Sequence, residues 1–154
     1  MKLKEIYKAV RLAGDDPLVR RYNGILEKEA EELGKDDVAF CLRQGLFIEH
    51  AFDRLLSFLA EDPYAGDQYG GEFLEKAGQV CIALKGTEDG MLEGLLKAHG
   101  SRLRKILISA IGFYETTDWN MDGLCHEDQL EFLDAIRTLF TFLKEADAFY
   151  GAED

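Results

Sequence analysis

The sequence SRLRKILISAIGFYETTDWNMDGLCHEDQLEFLDAIRTLFTFL, residues 101–143, decides the fold class. On both sides of its central loop, apolar residues recur about every three to four positions, which places them on one face of an α-helix. They are Leu103, Ile106, Leu107, Ala110, Ile111 and Tyr114 before the loop, and Leu133, Ile136, Leu139, Phe140 and Leu143 after it. Because an amphipathic helix must bury its apolar face, we predict that the two helices pack as a helix–loop–helix pair.

Helical spacing continues through the rest of the chain. We predict an all-α fold, a single-domain bundle of six or seven helices over residues 1–154. With 47% hydrophobic residues, a chain of this length buries a core without disulfides. The other predicted helices are 2–13, 17–33 with Asp16 as its N-cap, 37–60, 72–85 and 87–99.

Residues 37–60 have apolar side chains around almost the whole helical circumference, so we predict a central helix there. Its narrow polar stripe includes Arg43 and His50, an R-x6-H spacing like that of HEPN ribonuclease domains. Any long helix offers such pairs, and nothing else in the sequence supports RNA chemistry. We therefore favour a boundary histidine packed beside Glu49 or Asp53.

The chain is acidic, with 30 acidic and 18 basic residues and a formal net charge of −12. This charge argues against direct binding of nucleic acid or an anionic membrane surface. It is compatible with a basic protein partner or a metal cation, and it is also typical of a protein whose charge only maintains solubility. Charge alone does not distinguish these alternatives.

Two features predict a cytoplasmic location. Cys41, Cys81 and Cys125 are odd in number, far apart and within or beside apolar helical patterns, as expected of small buried thiols in a reducing compartment. The N-terminal sequence MKLKEIYKAVRLAG spaces its apolar residues helically and has no continuous apolar run, so we expect neither a signal peptide nor a membrane anchor.

Residues 61–71, EDPYAGDQYGG, contain one proline and three glycines and are predicted to form a loop. Its two tyrosines, Tyr64 and Tyr69, have two interpretations. As exposed side chains they would contact a partner well, whereas as buried side chains they would cover one end of the bundle.

The loop DWNMDGLCHEDQ, residues 118–129, has the spacing of an oxygen-ligand site. Alternating Asp or Asn residues followed by glycine let a short turn direct several oxygens at one hard divalent cation such as Ca²⁺. The predicted metal ligands are Asp118, Asn120, Asp122, Glu127 and Asp128. The alternative is that Asp and Asn form turns and the acids favour the N-terminus of the following helix.

This loop resembles an EF-hand loop placed between two helices, except that Gln129 stands where the bidentate glutamate is expected. The segment DGLCHEDQLEFL also resembles the acidic loop of tellurite-resistance TerB-type domains, with Asp122, Gly123, Glu127 and Asp128 at the matching positions. These resemblances cover about twenty residues and imply weak binding of Ca²⁺ or another divalent cation. Asp89-Gly90 suggests a second, incomplete acidic loop.

Two functions remain open from the sequence. The first is a non-enzymatic helical regulatory or adaptor module with a weak metal loop. The alternative is an acidic inhibitor that binds a basic protein partner, imitating nucleic acid as some phage-encoded inhibitors do. The residues argue against an enzyme without deciding the question, because no nucleophile, base and orienting group can be assembled from them and no phosphate-binding loop occurs.

Overall fold

The computed structural model describes residues 1–87, 90–120 and 123–150, with only the backbone described for 148–150. Within these ranges there are seven α-helices, a short 3₁₀ helix at Ala30–Glu32 and no strand. The predicted all-α class and helix number are confirmed. The α-helices are α1 (Leu3–Ile6), α2 (Pro17–Leu26), α3 (Lys35–Gln44), α4 (Ile48–Glu61), α5 (Glu72–Lys85), α6 (Met91–Thr116) and α7 (His126–Tyr150).

The chain divides into two compact units, Met1–Leu55 and Leu56–Asp154, with the boundary inside α4. The extent of a single domain over residues 1–154 stays a prediction. Among the described residues, no helix combines the length and the apolar character that a membrane crossing requires.

In the first unit, the start of α2 was predicted correctly. The Asp16 carboxylate accepts a hydrogen bond from the Leu18 N–H at 2.8 Å, and Pro17 occupies the first turn of the helix. The predicted helix 2–13 is wrong beyond Ile6. The backbone turns at Lys8 (φ 52°), and the buried side chain of Asn23 then bonds both the N–H and the carbonyl of Leu12, at 2.9 and 3.0 Å.

The predicted helix 37–60 is also wrong, since α3 and α4 are separate helices. Gly45 adopts the left-handed conformation (φ 69°) that caps helices, and its N–H donates to the Cys41 carbonyl. Phe47 also has positive φ, at 51°, before α4 begins. The apolar pattern predicted burial correctly: Ala51, Phe52 and Leu55 are buried in the first unit, and Leu56 and Leu59 in the second.

In the second unit, α5 has its predicted bounds, and α6 and α7 are the two helices of the predicted helix–loop–helix. The predicted break at His99-Gly100 is wrong, because α6 continues through both residues. One glycine inside a helix costs only about 1 kcal/mol relative to alanine. The apolar residues of one continuous helix outweigh that cost, since Leu92, Leu103 and Ile106 are all buried.

Candidate functional site

In the described part of the second unit, a groove with a volume of about 630 Å³ lies between α5 and α7. The helices approach closely where Gly78 faces Thr138. A Cβ added to Gly78 would lie 3.2 Å from Thr138 Cγ2, tighter than an ordinary contact. The groove is lined by Tyr69, Glu75, Gln79, Glu131, Asp134, Ala135 and Thr138.

The groove lining includes three carboxylates and no lysine or arginine. Glu131 and Asp134 are exposed, and Glu75 is half-buried. In the part of the chain that the structure describes, none of the three forms an ion pair; the acids paired in this unit are Glu145 with Lys85, Glu93 with Lys97, and Asp147 with Arg104. The groove therefore presents concentrated negative potential to solvent.

The charge changes along the same pair of helices. Thr138 also lines a second depression, of about 410 Å³, whose lining includes Lys85 and Arg137. Lys85 is paired with Glu145 at 2.6 Å, and Arg137 is exposed. The groove between α5 and α7 is thus acidic at the Tyr69 end and contains basic side chains at the other.

Tyr69 stands at the acidic end, with 46% of its surface exposed. Its hydroxyl donates a hydrogen bond to Glu75 Oε2 at 3.1 Å. Burial, together with the negative charge of Glu75, raises the pKa of Tyr69 to about 12. The hydroxyl therefore remains protonated at neutral pH and acts as a donor to Glu75.

The loop that carries Tyr69 is tied to the start of α5. Glu72 is a buried carboxylate, 3% exposed, that accepts hydrogen bonds from the N–H groups of Asp67 and Gln68 at 2.7 and 3.0 Å. Gly70 packs against the Tyr64 ring so closely that a Cβ there would lie 2.1 Å from Tyr64 Cε2. These contacts leave the loop little conformational freedom.

Tyr64 joins this loop to an aromatic cluster. Its ring stacks on Phe113 at 5.0 Å and meets the rings of Phe132 and Trp119 edge-on at 5.1 and 5.8 Å. Trp119 is 5% exposed, and its Nε1–H donates to the Tyr114 carbonyl at 3.0 Å. The two predicted roles of the loop tyrosines are thus divided: Tyr64 is half-buried and packs in the aromatic cluster, whereas Tyr69 is exposed.

The predicted metal ligands are only partly described. Asp118 accepts a hydrogen bond from the Asn120 N–H at 3.1 Å, and Asp128 accepts one from the Cys125 N–H at 2.9 Å at the start of α7. These are the turn and helix-start contacts of the alternative interpretation. Asp122 and Asp89 lie outside the described residues.

No group of three or more His, Cys, Asp or Glu side chains that could hold a metal ion occurs within 1–87, 90–120 and 123–147. Glu127 is exposed at the start of α7. Because Asp122 is not described, binding of Ca²⁺ or another divalent cation by Asp118, Asn120, Asp122, Glu127 and Asp128 stays a prediction.

The Arg43 and His50 pair of the HEPN comparison does not share a helix, because Arg43 belongs to α3 and His50 to α4. Half-buried His50 instead shares a hydrogen bond with the Tyr7 hydroxyl, with 2.6 Å between that oxygen and Nδ1. The sequence did not indicate Tyr7 as the partner, since the contact joins residues far apart in the chain.

The cysteines are chemically unequal. Cys41 and Cys81 are buried as predicted, and burial raises the pKa of their thiols to about 11 and about 12. Such thiols are poor nucleophiles at neutral pH. The prediction was wrong for Cys125, which is exposed.

Comparison with known proteins gives one family. The family model for CDI immunity proteins matches residues 4–92, more than half of the chain. The matched residues include Tyr69, Glu75 and all of α5. No curated protein and no solved structure matches the chain.

This match corrects the predicted family resemblance. Neither an EF-hand family nor a TerB family matches the chain, so the resemblance of the 118–129 loop to those metal loops was wrong. The physical reason is that Asp, Asn and Gly at this spacing are also favoured in tight turns, and acids are favoured at helix N-termini. Such a short pattern does not distinguish the two uses.

Proposed function

This chain belongs to the family of CDI immunity proteins, and we propose that it binds a toxin protein and blocks the toxin's activity. Family membership is the observation that carries this proposal, since CDI immunity proteins bind a toxin protein partner. Of the two functions predicted from the sequence, the protein-binding inhibitor agrees with the family. The family gives no support to the metal-dependent regulatory module.

The distribution of charge supports a basic toxin surface as the target. The unit Leu56–Asp154 contains 19 acidic and 8 basic residues, a net charge of −11, whereas Met1–Leu55 has 11 acidic and 10 basic residues, a net charge of −1. An acidic surface attracts a basic one and accelerates its association. If the toxin acts on nucleic acid, its phosphate-binding surface would be such a target.

The test is co-expression in a host that the toxin harms. CDI toxin domains from the source organism are expressed one at a time, with and without this chain, and growth is measured. We expect one toxin to be neutralised and to form a stable complex in size-exclusion chromatography. If every active toxin domain inhibits growth equally with and without the chain, the proposal is overturned.

The basic target is tested separately on the purified complex. Raising the salt concentration from about 0.05 to 0.5 M should slow association about tenfold, because salt screens the attraction between exposed charges. Dissociation should change less. An association rate that is independent of salt would exclude the basic target and leave toxin binding itself intact.

A further inference from the structure

We propose that the acidic end of the groove between α5 and α7 receives a lysine or arginine side chain of the toxin, with the ring of Tyr69 as the contact surface at its rim. This inference rests on the proposed function, because it names the surface of the chain that faces the toxin. Three independent features of the second unit support it.

The first feature is the shape of the groove. Its volume of about 630 Å³ is within the range of about 300 to 1,000 Å³ typical of sites that enclose small ligands, and it accommodates one long side chain with its flanking backbone. Besides the carboxylates, Tyr69 and Gln79, the lining includes the short side chains of Ala135 and Thr138. An extended aliphatic stem of lysine or arginine therefore has apolar surface to cover.

The second feature is charge. Glu131 and Asp134 lie about one helical turn apart on α7, are exposed, and have no ion-pair partner among the described residues. A guanidinium group can donate two hydrogen bonds to one carboxylate, and an ammonium group can lie between two. At the other end of the groove, Lys85 is paired with Glu145 and Arg137 is exposed, so that end is less attractive to a cation. The groove thus favours a segment whose positive charge lies at the Tyr69 end.

The third feature is the rigidity of Tyr69. Its hydroxyl is held by Glu75, and its loop is held by the buried Glu72 and by the packing of Gly70 on Tyr64. A pre-positioned aromatic ring loses little conformational entropy on binding. Its face also attracts a cation directly. Tyr69 therefore has the properties of an energetically dominant interface residue.

The experiment measures binding kinetics of the purified complex between this chain and the toxin that it neutralises. The variants are Tyr69→Ala, Tyr69→Phe and the double variant Glu131→Gln/Asp134→Asn. The matched control is Glu61→Gln/Glu115→Gln, which removes the same charge from the same unit at exposed residues that lie outside the groove lining and, like the groove acids, have no ion-pair partner among the described residues. Thermal melting of each variant checks that it is folded.

Tyr69→Ala should weaken binding at least about tenfold, mainly through faster dissociation, whereas Tyr69→Phe, which keeps the ring, should stay within about threefold of wild type. Glu131→Gln/Asp134→Asn should weaken binding about tenfold, and the control should change it less than about twofold. Equal behaviour of the groove double variant and the control, with a tightly bound wild-type complex, would overturn the groove assignment and leave the proposed function standing. A wild-type chain that binds no toxin would overturn both.

Discussion

Several carboxylates in the first unit lie against basic groups, whereas those of the groove in the second unit do not. In Met1–Leu55, Glu27 is paired with Lys2 and Lys4, and the hydrogen bonds from Lys4 and then Lys2 lower its pKa. Glu29 is paired with the N-terminal ammonium group. In Leu56–Asp154, Glu75, Glu131 and Asp134 have no such partner among the described residues.

One ion-paired carboxylate of the first unit, that of Asp37, is almost completely buried. Asp37 is 3% exposed and accepts hydrogen bonds from Arg21 Nη2 at 3.0 Å, Lys28 Nζ at 2.7 Å and the Gly34 N–H at 3.0 Å. It therefore joins α2, the segment after it and the start of α3. The difference between the units shows that acidic residues of one chain can have different roles. Some stabilise the packing of helices, and others remain available to bind a partner.

The largest expected effect on stability is that of Asp37→Ala. Removing this carboxylate leaves Lys28 and the Gly34 N–H without their acceptor and leaves Arg21 with Asp36 alone, so we expect a loss of about 3 kcal/mol in the free energy of unfolding. Urea unfolding followed by far-ultraviolet circular dichroism measures it. The control Asp36→Ala removes an exposed partner of Arg21 and should cost less than about 1 kcal/mol. Equal losses for both variants would contradict the structural role of Asp37.

A smaller loss in the free energy of unfolding is expected for Glu72→Ala. Unlike the groove acids, Glu72 is a buried carboxylate of the second unit that holds a loop in place. This buried carboxylate accepts two backbone N–H groups, and we expect its removal to cost about 2 kcal/mol. Glu75→Ala, which removes two exposed contacts, with the Tyr69 hydroxyl and with the Gln79 amide, should cost less than about 1 kcal/mol. The single tryptophan, Trp119, lies in this unit, so its fluorescence reports the unfolding transition. If Glu75→Ala costs as much as Glu72→Ala, Glu72 has no special role in holding the loop.

The smallest effect is expected for Glu131→Gln/Asp134→Asn. Because these exposed carboxylates have no partner in the described structure, their neutralisation should leave the free energy of unfolding within about 0.5 kcal/mol of wild type, with any change toward higher stability through reduced repulsion. The same urea titration measures it. A loss above about 1 kcal/mol would show that the groove acids are structural and would erase the contrast between the units.

Local signals explain which parts of the fold could be predicted. The bounds of α5 and the N-cap at Asp16 follow from adjacent glycine, proline and aspartate residues, whose backbone preferences act over a few positions. Gly45 is also a glycine that can end a helix, but the apolar residues around it led to the prediction of one continuous helix over 37–60. At Gly100 the opposite error occurred, because burial kept a glycine inside α6.

The candidate site was less predictable than the fold. The exposure of Tyr69 was one of two interpretations that the sequence left open, and its position beside Glu131 and Asp134 depends on α5 packing against α7, which local sequence does not specify. The acidic loop 118–129 drew attention because its pattern is contiguous. The groove acids are separated in the chain, so no short motif contains them.

By itself, the sequence determined the all-α class, the bounds of α5, the C-terminal helix pair and the excess of negative charge, because these depend on the spacing and composition of neighbouring residues. Tertiary structure alone decided which carboxylates are paired. Asp37 is held by Arg21 and Lys28, whereas Glu131 faces an open groove, and the two differ only in what the folded chain brings within about 3 Å of them. Such contacts join residues from different elements, so they exist only after the helices have packed.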